Sequence, residues 1–320
     1  MNHIVVITGA TASGKSAFAV QVAREISGEI VNADIGSFYT RLQLGTAKPD
    51  WQNSPIPHHL FDYISEPRDE TIVAFRQRVI DVCREIWSRG NTPVIVGGST
   101  LYIKSLFYTQ EEIPQLGQDD LAAIQLIDNA TLWRELLLVD PDRAQEIGPA
   151  DTYRLQRALS IFRATGKKPS SFQVDFNPIA PFYFIEIVRD RKILYERIDQ
   201  RVDEMIEDGW IEEVRSLQGT AWEPFLSRKK MMGYDLLLRH LHDDEVSMSF
   251  IISQAKKATR NYAKRQITFY KKLKKELVDA LHERKMVSIV KECDLTFCDL
   301  PLYIKQLSID LYKNFAYSKE

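Results

Sequence analysis

Cysteine is scarce: Cys83, Cys293 and Cys298 are the three thiols in 320 residues. A small, odd number excludes a disulfide framework and favours a reducing compartment. Cys293 and Cys298 could pair or share a metal, but their spacing is not that of a metal-ligand motif. No apolar run approaches the roughly 18 to 20 residues of a membrane span. No basic and apolar leader precedes the first strand-like run, so a cytoplasmic protein with no membrane partner is expected. Excess charge is also lacking. The formal net charge is −2, so any attraction for nucleic acid must be local. Internal repeats and low-complexity tracts are absent. What remains is an ordinary globular composition, 44% hydrophobic and 27% charged, long enough for a large core and one to three domains.

The first hundred residues alternate strand and helix. Buried strands are predicted at 3–8, 29–33 and 93–98, and helices at 15–27 and 71–89, the latter stopped by Gly90 and Pro93. This alternation predicts a parallel α/β sheet with crossover helices. Residues 113–168 carry helical patterns and no clear strand, and FYFIEIV at 182–188 returns as a buried strand. The expected organisation is therefore an α/β core from 1–112 and 179–320, interrupted by an all-helical insertion domain at 113–178. Helices follow at 193–217, 231–241 and 247–282; the tail after Lys285 shows no pattern.

GATASGKS at 9–16 follows the apolar run IVVIT, giving Gly9, four residues, then Gly14, Lys15 and Ser16. Strand, GxxxxGKS and helix together make a phosphate-binding loop. Its backbone N–H groups and helix N-terminus attract phosphate oxygens, and Lys15 reaches the terminal phosphate. Gly9, Ala10, Thr11, Ala12, Ser13, Gly14, Lys15 and Ser16 are the candidate diphosphate site, with Ser16 the candidate Mg²⁺ ligand. Such loops usually hold ATP or GTP, but the motif alone establishes only a diphosphate. Asp34 ends the second strand, at the sheet edge where α/β proteins bind ligands. It could bind Mg²⁺ through water, accept a proton, or cap the next helix. Ser99 and Thr100 lie at the same edge, for substrate contact or for capping. His58 and His59 with Asp62 suggest a metal site only weakly, since adjacent histidines rarely converge on one ion.

Residues 256–275 contain nine Lys or Arg and no acid. At 100° per residue, Lys257, Arg260, Lys264, Lys271 and Lys275 form one stripe, and Ala255, Ala258, Tyr262, Phe269 and Leu273 the opposite, packing side. A solvated face is normally mixed in sign, so a purely basic stripe fits a phosphate backbone. Arg154, Arg157 and Lys168 form a second basic cluster in the insertion.

GATASGKS, LGTAKP (44–49), PHHLFD (57–62), PVIVGGSTLYIKSL (93–106), the DP…R…RAL string at 140–159, RIDQRVDEMIEDGWIEEV (197–214) and TRNYAKRQITF (259–269) occur in this order. Each is weak alone; their shared order resembles the bacterial tRNA dimethylallyltransferases, the IPP transferase family. The resemblance implies a P-loop NTPase-like core. It also implies transfer of a dimethylallyl group from dimethylallyl diphosphate to the exocyclic amine of the adenosine 3′ of the anticodon, with Mg²⁺ and without ATP. A monomer acting on the tRNA anticodon stem-loop is expected. By the same resemblance Asp34 is the base, Thr11 and Ser99 assist catalysis, and Lys230 joins the diphosphate site. Asp34, Ile35, Gly36, Ser37 and Ser99 would meet the adenosine; Tyr153, Arg154, Leu155, Gln156, Arg157, Arg260 and Lys264 would hold tRNA.

The chain departs from the family pattern where serine usually follows the aspartate (Ile35), where glutamine is common (Ser37), at Ser99, and where a cation usually follows Gly233-Tyr234 (Asp235). Two alternatives use the same residues. A P-loop kinase of a small metabolite would bind ATP and leave the basic helix without a purpose. A degenerate relative would bind tRNA without transferring anything.

Overall fold

The computed structural model describes residues 2–110, 116–172, 174–231, 233–242 and 246–316. In chain order the elements begin β1 (Ile4–Gly9), α1 (Lys15–Glu25), β2 (Gly28–Asn32), β3 (His58–His59), α2 (Ile72–Ser88), β4 (Thr92–Gly97) and α3 (Thr100–Ser105). Then come β5 (Tyr108–Gln110), α4 (Gln118–Gln125), α5 (Asn129–Val139), α6 (Pro141–Ile147), α7 (Thr152–Thr165) and β6 (Val174–Phe176). The rest is β7 (Phe182–Val188), α8 (Arg191–Glu207), α9 (Trp210–Arg215), α10 (Trp222–Lys229), α11 (Tyr234–His242), α12 (Met248–Arg284), β8 (Ile289–Asp294) and α13 (Leu300–Leu311).

The chain divides into two compact units, Met1–Phe107 with Pro178–Glu320, and Tyr108–Asn177. In the first, six parallel strands run in the order β3-β2-β4-β1-β7-β8. β1, β4 and β7 are nearly continuous apolar runs because both sheet faces are covered. On one face Val5, Ile7, Val94 and Ile185 pack with Phe18 and Val22 of α1 and Leu307 of α13. Toward the other, Phe107 packs edge-on against Phe182 and Phe184, and α12 runs against β1, α3 and α8. This is a P-loop NTPase-like α/β core.

The second unit has its own core of Leu132, Leu136, Ala144, Leu155 and Leu159. Asp128, Asp140 and Asp151 cap α5, α6 and α7 by accepting backbone N–H groups. It is not all-helical, because β5 and β6 pair antiparallel. The expected boundary at 112–113 lies outside the described residues.

Three further expectations are corrected. The helix expected at 193–217 is two, broken at Gly209, whose φ of 103° a helix cannot continue through. The tail supplies a sixth strand and a helix. Along α12 the buried seam is Ala255, Ala263, Gln266, Tyr270, Leu273 and Leu277. Phe269 is only half-buried, because Tyr270 takes the inward position. Among the described residues no helix is long and apolar enough to cross a membrane.

Candidate active site

The strands β1, β2 and β4 all deliver their C-terminal ends to one cavity of about 870 Å³ in the first unit. After β1 the chain turns through the phosphate loop, and Gly14 at φ 99° leads it into α1. The loop backbone is held from three sides. Gln266 Oε1 accepts from the Thr11 N–H at 2.9 Å, Arg197 Nε donates to the Ala12 carbonyl at 2.9 Å, and Arg189 Nε donates to the Ser13 carbonyl at 3.1 Å.

After β2, Asp34 takes the extended conformation that precedes a short 3₁₀ turn at Ile35–Phe38, and its side chain does not cap that turn. Instead Oδ1 accepts from the Gly98 N–H at 2.6 Å, and Oδ2 lies 3.4 Å from Lys15 Nζ. Asn32 fixes the approach by accepting from the Asp34 N–H at 2.9 Å and donating to the Leu60 carbonyl at 2.9 Å. The Asp34 side chain is 36% exposed and that of Lys15 only 9%, so the carboxylate is the open member of the pair. After β4, Ser99 makes no side-chain cap; its Oγ accepts from the Ile35 N–H at 2.9 Å and ties the two strand ends together.

Thr11, Ala12, Gly14, Lys15, Ser16, Asp34, Ile35, Gly36, Ser37, Ser99 and Lys230 all line the cavity. Gly9 is not among the lining residues, and a Cβ there would lie 2.5 Å from the Ile187 carbonyl of β7. Four further expected residues are placed otherwise. Ala10 turns its methyl into a core with Leu194 and Ile198, and the buried Ser13 hydroxyl faces away from the cavity lining. Leu155 is 0% exposed in the core of the second unit, so its side chain cannot meet RNA. Arg260 is paired with Asp199. Tyr153 and Arg157 are exposed on α7, Gln156 is half-buried, and Arg154 lies 3.3 Å from Asp151; all belong to the second unit. Lys264 is exposed on α12.

His58 and His59 are a short edge strand, so their side chains point to opposite faces. His59 Nε2 lies 2.6 Å from Glu29 Oε2, and His58 Nδ1 lies 2.7 Å from the Ile56 carbonyl. Among the described residues no group of three or more His, Cys, Asp or Glu could hold a metal. Asp235, standing where the family pattern has a cation, forms a 2.9 Å ion pair with Arg239 of the next helical turn.

The sequence reading missed Arg197, Arg201, Tyr262, Arg265 and Gln266, all of which line the cavity. Arg197 and Arg201 share one face of α8 at i,i+4 spacing, a signal available in RIDQR. Arg201 donates to the Ala47 carbonyl at 3.0 Å; burial lowers its pKa, which the Asp34 charge opposes. Burial likewise lowers that of Arg189. The arginine-flanked loop and the carboxylate opposite can therefore hold an anion and receive a proton side by side.

Fold and site define a phosphate-loop α/β protein with a carboxylate beside the loop lysine on the wall of one cavity. The IPP transferase family model matches residues 37–273. The tRNA dimethylallyltransferase of Thermoanaerobacter sp. (strain X514) is 37% identical over 280 residues, covering 84% of this chain and 89% of that protein. Among solved structures, a eukaryotic dimethylallyltransferase acting on tRNA matches with a TM-score of 0.75 and 26% identity, over 100% of this chain and 81% of the other. The tRNA delta(2)-isopentenylpyrophosphate transferase of Staphylococcus epidermidis matches with a TM-score of 0.63 and 26% identity, over 98% and 99%. The chain belongs to the IPP transferase family.

Proposed function

We propose that this protein transfers a dimethylallyl group from dimethylallyl diphosphate to the exocyclic amine of the tRNA adenosine 3′-adjacent to the anticodon, releasing diphosphate. The observation that carries the reading is the Asp34 carboxylate held 3.4 Å from the phosphate-loop Lys15 on the wall of one cavity. Family membership supports the substrates.

An adenine amine is a poor nucleophile because its lone pair is delocalised into the ring. In the transfer its nitrogen bonds to the allylic carbon, the carbon–oxygen bond breaks with its electron pair leaving on the diphosphate, and Asp34 takes the amine proton. Lys15 has two roles in sequence. Before diphosphate binds it partners Asp34; with diphosphate in the loop it turns to the phosphates and leaves the carboxylate free to act as base. Arg197 and Arg201 add fixed positive charge where negative charge develops, which counts most where water is excluded. Thr11 would donate to the leaving oxygen. Ser99 acts mainly by holding Ile35, and so the Asp34 segment, against β4. The target base must leave the anticodon-loop stack to reach this cavity, as base-modifying enzymes require.

Mg²⁺ fits the donor set: the exposed Ser16 hydroxyl opens α1 beside the loop, and one hydroxyl plus phosphate oxygens is the hard, oxygen-only coordination that ion prefers. Held by Ser16 it would neutralise charge on the diphosphate. A cytoplasmic enzyme acting as a monomer goes with this reading. The exposed Lys264 on α12, and Tyr153, Arg154 and Arg157 on α7, would meet tRNA phosphates.

The test is single-turnover transfer of labelled dimethylallyl diphosphate to unmodified tRNA with Mg²⁺, wild type beside Asp34→Ala. Transfer that falls about a hundredfold or more in the variant supports the base assignment. Absent transfer with tight tRNA binding would leave a degenerate binder, and ATP-dependent phosphorylation of a metabolite would establish the kinase.

A further inference from the structure

Gln266 sits on the most basic helix of the chain, yet its side chain points inward and is 1% exposed. A buried amide is costly unless both its ends are bonded. Here both are: Oε1 accepts from the Thr11 N–H at 2.9 Å, and Nε2 donates to the Gly98 carbonyl at 2.7 Å. Gly98 in turn donates its own N–H to Asp34 Oδ1 at 2.6 Å. One side chain therefore connects the phosphate loop to the peptide that grips the carboxylate. The fit is tight, since a Cβ at Gly98 would lie 2.5 Å from Gln266 Nε2 and 3.3 Å from Asp34 Oδ1. The neighbouring seam residues Ala263, Tyr270 and Leu273 already supply apolar packing. Methionine in place of Gln266 would fill the volume without the polar cost. The amide is explained by what its two ends hold.

The geometry points to Gln266 as a positioning residue that fixes the separation between the diphosphate-binding loop and Asp34. It acts through Thr11 and Gly98. It also uses a loop N–H that phosphate loops ordinarily turn toward their anion, so the anion must rely on the remaining amides and on Lys15. The groups that face this relay are Lys15 from the loop, Asp34 from the β2 edge, Ser99 from the β4 edge, Arg201 from α8, and Tyr262, Arg265 and Tyr270 from α12. The inference rests on the transferase reading for its catalytic consequence, but the clamp itself is a structural statement with its own readout.

The experiment compares wild type, Gln266→Met, which keeps length but not hydrogen bonds, and Gln266→Glu, which keeps the acceptor for Thr11 but replaces the donor to Gly98. Single-turnover transfer should fall about 10- to 100-fold in Gln266→Met, with half-saturating dimethylallyl diphosphate unchanged within about threefold, as expected for lost orientation rather than lost binding. In an Asp34→Ala background the same substitution should cost less than about threefold, because the group being positioned is gone. Amide exchange over 9–16, followed by mass spectrometry, should accelerate about tenfold or more in Gln266→Met and by less in Gln266→Glu, which keeps the acceptor for the Thr11 N–H. Gln266→Glu should also move the acidic limb of the rate–pH profile upward, since a new carboxylate beside Asp34 favours its protonated form. Transfer at the wild-type rate by Gln266→Met, an undiminished loss in the Asp34→Ala background, or unchanged exchange would each overturn the proposal. Absence of transfer by wild type would sink the transferase reading instead, and the exchange measurement alone would then decide whether Gln266 clamps the loop.

Discussion

Glu29 and Asp34 bracket β2, and their surroundings assign them opposite work. Glu29, at the strand's start, is 2% exposed and saturated: Arg89 donates twice, at 3.0 and 2.8 Å, Asn91 once at 2.8 Å, and His59 lies 2.6 Å away. The Arg89 hydrogen bonds lead in holding its carboxyl down from the usual 4.5 to about 2. A depressed folded-state pKa stabilises the protein above the unfolded value. That contribution is present in full above about pH 4.5 and is lost as pH falls toward 2. Glu29→Gln should therefore cost about 2–4 kcal/mol in denaturant titrations at pH 7 and much less near pH 2. Asp34 has one N–H, one lysine and an open face toward the cavity. At the thiols, burial pushes Cys83 up to about 12, so it should resist alkylation in the native protein. Half-buried Cys298 should label first, as mass spectrometry of iodoacetamide-treated protein would show.

At the scale of elements, α9 and α11 build the cavity wall through close backbone approaches. Gly233 has φ 84°, and a Cβ there would lie 2.1 Å from the Trp210 ring; at Gly45 it would lie 2.0 Å from Trp210 Nε1. Trp210 itself is 2% exposed and crosses edge-on to Tyr234 at 5.7 Å. Gly233→Ala should therefore displace the indole, lower the melting temperature by at least about 4 °C, and raise half-saturating dimethylallyl diphosphate, checked by calorimetry and transfer assays. Which elements were legible follows from their surroundings. β1, β4 and β7 are buried on both faces and read as nearly continuous apolar runs. β8 escaped because it is an edge strand carrying exposed Lys291 and Glu292, and β3 because two residues make no periodicity. The loop and Asp34 were readable since their chemistry is local to a strand end. Gln266 was not: its partners Thr11 and Gly98 lie 255 and 168 residues away, and nothing in RQITF marks which neighbour faces inward. The stripe drawn on α12 placed Phe269 inside for the same reason, although one residue decided it.

For the whole molecule, the insertion is an excursion from a core that is closed without it. Its boundaries meet: the Ile179 N–H donates to the Leu106 carbonyl at 3.0 Å within the first unit, so the chain leaves and returns at one point. Each unit has its own apolar core, one around Val5, Ile7 and Phe18 and the other around Leu132, Leu136 and Leu155. All the residues lining the 870 Å³ cavity belong to the first unit. The proposed diphosphate site and the Asp34–Lys15 pair thus draw no lining residue from Tyr108–Asn177, whereas the exposed Arg157 and Tyr153 belong to it. Joining Phe107 to Pro178 through a short Gly/Ser linker should leave a folded protein that binds inorganic diphosphate within about threefold of the full chain, because closing a short loop between adjacent ends costs little entropy. The same variant should lose at least about tenfold in tRNA affinity, and its salt dependence should flatten as phosphate contacts are removed. Calorimetry with diphosphate and filter binding of tRNA at two salt concentrations separate the two effects. Loss of diphosphate binding in a folded protein would show that the two units share one site; unchanged tRNA affinity would assign RNA recognition to α12 alone.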